Sequence, residues 1–471
     1  FALAGVAGQY AGPSLFLSFI ITGVIAMLTA LVYCELSTKM SRTPGSSYGY
    51  IYSSFGELPA WIIGWNLNLR YGVCAAALAR GWAAYVVGIF GSLGVALPVW
   101  LYELEHFGIY GSPLSVFFIV ACTYISTLGS EESNTFNIVF TLSKLVSLVI
   151  IILVGFYYFE FINYQPFFVE EHGFRGTIYG ATVVFFAYLG FDMITTLSEE
   201  AKNPKRDMPK SITSSVFICM TVYVFIAITL CGMAEVQTLV PEIALPMAFD
   251  MVGNKSMAII IYLCGFFGLT ASAFSGIISQ QRVLYAFSND GIFFPIFKEL
   301  DPVTKVPKKG AWIACFFISV VCYFLDLETI TLVVSLGNLI SYSFVNTAVI
   351  ALRFRSPFNF TTHIKPSPNE KYPWIYLVLA FLFAMSIGLM WNEWLQIIFG
   401  TFAIFMVLFM SILKQQSIPT DSFVCPWVPL TPCLAIMANF YLTSILDAYT
   451  WFYFIAYEMM GISFYFGYGF H

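Results

Sequence analysis

Charge is scarce in this sequence. Of 471 residues only 10% are Asp, Glu, Lys or Arg, against roughly 25% in an ordinary soluble domain. Hydrophobic residues make up 59% and aromatic residues 18%. A water-soluble chain so apolar would expose large greasy patches and aggregate, so an ordinary soluble fold is excluded. The net charge is −5, without a basic tract. That excludes nucleic acid as a partner, which requires a clustered positive footprint. There are only four histidines, His106, His172, His363 and His471, and the ten cysteines fall mostly inside apolar stretches with no CxxC pair. Neither pattern has metal-ligand spacing, and no small secreted domain is present that would need a disulfide framework. No phosphate-binding loop accompanies them. The expectation is a protein without metal or cofactor that is not an enzyme.

What is abundant is long hydrophobic runs. A membrane-crossing helix needs about 20 mostly apolar residues. Full spans are expected at about 13–37, 58–90, 113–128, 136–159, 175–198, 211–232, 256–285, 310–325, 330–352, 374–391, 395–413, 428–446 and 448–469, after a partial helix at 1–9. Backbone groups cannot go unpaired in lipid, so runs of this length are helices, and they lack the alternation of barrel strands. Placing the start of the first helix in the cytoplasm puts Lys39, Lys205, Arg206, Lys210, Lys308, Lys309, Arg353 and Lys371 in inside loops and leaves only Arg175 and Lys255 outside. The positive-inside rule supports that orientation. The expected fold is an all-α polytopic membrane protein, multi-pass, with the lipid bilayer as its solvent, in the plasma membrane or an organelle membrane.

Some transporters interrupt a helix at mid-membrane, so that freed amides and carbonyls bind a small charged substrate. The run 175–198 carries Phe185-Phe186-Ala187-Tyr188-Leu189-Gly190-Phe191-Asp192 at its centre, a glycine and a carboxylate where an apolar helix has least use for them. The same residues also read as a kinked helix with Asp192 snorkelling or paired to a neighbour.

In order along the chain stand Ala11-Gly12-Pro13-Ser14, Tyr33-Cys34-Glu35-Leu36, Gly45-Ser46-Ser47-Tyr48-Gly49-Tyr50, Gly56-Glu57-Leu58-Pro59-Ala60-Trp61, the 185–192 segment, Glu199-Glu200-Ala201-Lys202-Asn203-Pro204-Lys205-Arg206-Asp207-Met208-Pro209, Gln281-Arg282-Val283-Leu284-Tyr285-Ala286 and Leu446-Asp447-Ala448-Tyr449-Thr450-Trp451. Through these motifs the sequence resembles the amino acid–polyamine–organocation transporter superfamily, specifically its cationic amino acid transporter-like branch. The resemblance implies a fourteen-helix secondary amino acid transporter with an amino acid as substrate, working by alternating access with proton symport. It implies a five-plus-five inverted repeat, 1–159 and 160–353, with additional transmembrane helices at 354–471. It also implies that the substrate carboxylate rests on a Gly-x-Gly break of the first helix, just upstream of Phe1 and Ala2. The ammonium would rest on carbonyls of Phe186, Ala187 and Leu189, with Phe186 or Tyr188 as an aromatic lid beside Gly190. Asp192 would face a cationic side chain or organise the site.

Ionisable residues inside spans are expensive and are functional candidates. Lys144 lies mid-span and resembles the lysine of proton-coupled relatives, where it would bridge toward Thr270 or Ser272; a tie between helices is the plainer role. Arg80 reads as a structural charge. Arg70 stands where the resembled branch carries an acidic or small residue, and lining the pocket it would repel lysine or arginine. Glu35 and Arg282 are expected near the cytoplasmic gate or surface. Arg70 and the missing first-helix motif also support a second reading, a transport-inactive structural subunit with membrane protein partners.

Overall fold

The computed structural model describes residues 2–40, 47–106, 109–128, 133–197, 203–302, 304, 306–354, 369, 371–390, 392–413, 415 and 423–469. Its helices, in chain order, are α1 (Ala2–Ala11), α2 (Leu15–Lys39), α3 (Ser47–Phe55), α4 (Glu57–Ser92), α5 (Pro113–Thr127), α6 (Ser133–Tyr157), α7 (Gly173–Phe185), α8 (Pro204–Met233), α9 (Ala244–Met251), α10 (Lys255–Asn289), α11 (Lys308–Phe324), α12 (Leu327–Phe354), α13 (Lys371–Gly388), α14 (Glu393–Ile412), α15 (Leu430–Ser444) and α16 (Ala448–Phe464). Every expected span lands on a helix. Eight helical runs among the described residues are long and apolar enough to cross a membrane, nine if a bent pair counts as one. The bent pair is α15 with the run 448–469, which meet at 113° across a short break.

Two local features depart from the sequence expectation. Residues Leu104–His106 (β1) and Ile109–Gly111 (β2) form a short antiparallel hairpin within the otherwise all-α membrane fold. With three residues on each strand, it is too short for a periodic signal. The second is in α4, where Leu69–Val73 is a π-helical segment. Such single-turn insertions rotate the following side chains and are frequent at functional sites.

α1 and α2 form a hairpin rather than one long span. Gly12 makes the turn with φ +58°, a left-handed conformation that favours glycine, and Pro13 follows it. Tyr10 lies against Gly176 and Ala7 against Gly180, so α1 runs antiparallel to α7. Ser14 Oγ and Thr177 Oγ1 are 2.6 Å apart and Thr22 Oγ1 donates to the Ala181 carbonyl at 2.7 Å, so α2 runs parallel to it.

The helices pair across the chain. α1 packs on α7, α2 on α8, α4 on α10 and α5 on α11. Small residues make these approaches possible where lipid gives no hydrophobic drive. On α2, Ala26 and Ala30 are fully buried, and a side chain at Gly23 would collide with Met220 of α8. α12 is the enclosed centre, with 89% of its apolar stretch buried, whereas α14 has only 17% buried and presents Ile397, Phe402, Ile404 and Phe405 outward as a lipid-facing surface.

Arg80 is held at least in part by backbone. Its Nε donates to the Cys322 carbonyl at 2.8 Å and its Nη2 to the Tyr323 carbonyl at 2.8 Å. These belong to the last turn of α11, where carbonyls lack helical donors and the helix dipole favours a cation. Arg80→Met is expected to lower stability by about 1.5–3 kcal/mol, measured as the thermal unfolding midpoint in detergent. Arg80→Lys should recover only part of this, because an ammonium lacks the forked donor geometry.

Candidate functional site

The helix entering at Gly173 does not survive its own centre. α7 ends at Phe185, a 3-10 turn covers Phe186–Tyr188, Leu189 is extended with ψ 144°, and Gly190 takes φ +113°. Another 3-10 stretch, Phe191–Leu197, carries the chain on. An L side chain rarely adopts the backbone of Gly190, which is why the break falls there. The structure therefore resolves the two readings of this segment in favour of an interruption, and the pairing of Asp192 holds as well.

At the break, Leu189 N donates to the Phe186 carbonyl at 3.3 Å and the Tyr223 hydroxyl to the Ala187 carbonyl at 3.3 Å. Carbonyl oxygens have two lone pairs, so each can accept a second hydrogen bond. The Tyr188 hydroxyl donates to the Phe19 carbonyl of α2 at 2.8 Å, and its ring meets Tyr223 edge-on. Tyr188 thus moors the break to α2, and Phe186 is the half-exposed aromatic there.

Asp192 is buried and forms an ion pair with Arg70, whose side chain is buried too. Arg70 comes from the π-helical segment of α4. Its Nε donates to Asn338 Oδ1 at 2.6 Å, and its guanidinium lies 5.1 Å from the centroid of the Tyr342 ring. The Asn338 amide is held in turn by its Nδ2, which donates to the Val334 carbonyl at 2.7 Å. The Tyr342 hydroxyl donates to Asp192 Oδ1 at 3.2 Å. Three elements, α4, the break and α12, converge on one neutralised charge pair. Tyr33, Phe191 and Tyr342 ring it with edge-on and tilted contacts of 5.3 to 5.8 Å.

The remaining candidates fall elsewhere. Ala2 is buried at the start of α1, facing Gly81 of α4. Phe1 lies outside the described residues, as do residues 198–202. Lys144 sits within α6, and its side chain lies outside the described residues. Thr270 accepts from Trp82 Nε1 at 3.0 Å and donates to the Phe266 carbonyl at 2.7 Å. Ser272 is exposed and donates to the Gly268 carbonyl at 2.9 Å. Two residues apart on α10, the pair point to different faces.

Two clusters at opposite ends of the bundle escaped the sequence reading. At one end Glu35, expected near the gate or surface, is buried. Its carboxylate accepts from Arg353 at 3.1 and 2.6 Å, from Lys39 at 2.7 Å and from the Cys425 backbone N–H at 2.9 Å. Arg353, expected in a loop, is part of α12 and is buried with it. The available signal was two opposite charges at the ends of apolar runs. At the other end the rings of Tyr10 and Tyr179 stand 4.4 Å apart, and the Tyr179 hydroxyl donates to Glu328 of α12 at 3.0 Å. Gln9 Nε2 donates there to the Val236 and Leu239 carbonyls at 3.0 and 3.1 Å. A cavity of about 660 Å³ opens at this end, lined by Tyr158, Asn163, Met233, Thr238 and Met251 among others.

Comparison with known proteins matches residues 2–431 to the amino acid permease family and residues 423–471 to the C-terminus of amino acid permeases. Cationic amino acid transporter 4 of Mus musculus is 30% identical over 98% of this chain and 83% of its own length. A methylthioribose transporter of Bacillus subtilis (strain 168) is 33% identical over 76% of this chain and 77% of its own. A branched-chain amino acid permease of the same bacterium is 30% identical over 76% and 77%. A helical multi-pass architecture, a helix broken beside a buried charge pair, and a family match across nearly the whole sequence lead to one assignment: this chain belongs to the amino acid permease family, and it is a transporter rather than an enzyme.

Proposed function

We propose that this protein is a secondary amino acid transporter that works by alternating access and couples uptake to protons. The observation that carries the reading is the interruption at 186–190, where helical hydrogen bonding stops inside a membrane-crossing run. Main-chain carbonyls there can take an α-ammonium without a buried side-chain charge. Phe186, Ala187 and Leu189 supply them. The pairing of α1 with α7, α2 with α8, α4 with α10 and α5 with α11 supports an inverted repeat of 1–159 and 160–353, since each helix meets its counterpart five spans on. Residues 354–471 add further helices. Lys144 is the coupling residue of this reading, an ionisable group that the sequence places mid-span.

The test is uptake of a panel of labelled amino acids by the full-length protein in proteoliposomes, with and without an imposed pH gradient. Expected is accumulation that the gradient drives, and in Lys144→Ala the loss of that drive with exchange retained. No uptake of any amino acid, together with a stoichiometric membrane partner in native purification, would overturn transport in favour of a structural subunit. Accumulation indifferent to the gradient would remove proton coupling alone.

A further inference from the structure

Resting on the reading of the break as the substrate site, we infer that the Arg70–Asp192 pair sets side-chain selectivity: it restricts the substrate to amino acids with uncharged side chains, and Asp192 is a cation site masked by Arg70. Asp192 follows Gly190 by two residues, so its carboxylate belongs to the break itself. Arg70 reaches it from another helix and is committed on three sides, to Asp192, to Asn338 Oδ1 at 2.6 Å and to the face of Tyr342. The two charges cancel. An entering lysine or arginine side chain meets a guanidinium already satisfied and close by, and a glutamate side chain meets Asp192. Either leaves a charge buried without a partner, the costly case in a low-dielectric interior. An uncharged side chain meets only the rings of Tyr33, Phe191 and Tyr342, which are buried around the pair. For a cationic substrate to displace Arg70, the guanidinium would have to leave Asn338 and Tyr342 as well as Asp192.

The experiment measures leucine, lysine and glutamate uptake by the full-length protein in proteoliposomes. Wild type is expected to take up leucine and to reject both charged substrates. Arg70→Leu unmasks Asp192 and should raise the ratio of lysine to leucine uptake by roughly tenfold or more. The double variant Arg70→Leu/Asp192→Asn removes both charges and should return to leucine alone, and Arg70→Lys should keep rejecting lysine. Lysine uptake by wild type at the rate of leucine overturns the selectivity assignment and leaves the substrate site standing. Uptake of no amino acid by wild type overturns the site reading instead. A double variant that transports leucine, beside an Arg70→Leu protein that gains no lysine uptake, reduces the pair to a tie between helices and also overturns the inference. Where Arg70→Leu does not fold, Arg70→Gln is compared with wild type for thermal stabilisation by lysine; stabilisation equal in the two overturns it likewise.

Discussion

Glu35→Ala is expected to destabilise the protein by about 3–5 kcal/mol, the cost of leaving a buried charge without its partner. The carboxylate is the hub of its cluster. It holds Arg353 through both Nε and Nη2, Lys39 one turn along α2, and the Cys425 backbone N–H. Lys39 is partly exposed and can turn to water, but Arg353 has an 8% exposed side chain and, among the described residues, retains Gln415 Oε1 and the Cys425 carbonyl. Neutralising both partners in Glu35→Leu/Arg353→Met should recover most of the loss, because an apolar pair of similar volume replaces a buried ion pair at little cost. Thermal unfolding midpoints in detergent, read for the two singles and the double, give the coupling between them. A Glu35→Ala protein as stable as wild type would show that the cluster contributes nothing.

Gly5→Val should slow uptake by roughly 5- to 150-fold, the population shift that corresponds to 1–3 kcal/mol. A Cβ at position 5 would sit 2.0 Å from the Pro241 carbonyl oxygen and 2.5 Å from the Ala244 Cβ. Backbone cannot swing aside as a flexible side chain does, so α1 can no longer seat against the segment leading into α9; overpacking of this kind costs about 1–3 kcal/mol. α1 lines the end where Tyr10, Tyr179 and Glu328 meet, and in an alternating-access carrier that end must close once per cycle. Gly5→Ala, with the same first atom and a smaller bulk, should give a lesser loss. Uptake at the wild-type rate in Gly5→Val would show that this seating is not part of the cycle.

Most helix positions were legible because burial in lipid demands unbroken apolar length, and length is visible in one dimension. The break at Gly190 was legible for a similar reason: glycine and aspartate are out of place in the middle of an apolar run. The partner of Asp192 was not. Arg70 stands 122 positions earlier in the sequence, on a helix whose register is altered by the π-helical segment at Leu69–Val73, and periodicity does not encode that extra residue. Arg353 reads as a loop charge, and Glu35 as a gate or surface charge, because each stands at the end of an apolar run, where exposure is the ordinary outcome. Only their meeting, with Cys425 across them, takes both out of water. The carbonyl acceptors of Arg80 were not legible, since no side-chain pattern reveals them.

The bond from the Cys425 N–H to Glu35 has a mechanical side. It ties the segment leading into α15 to the far tip of α2, a helix that is moored to the break through Tyr188 and Phe19. In the proposed alternating-access cycle, any displacement of α2 would be shared with the segment leading into α15 or would break this bond.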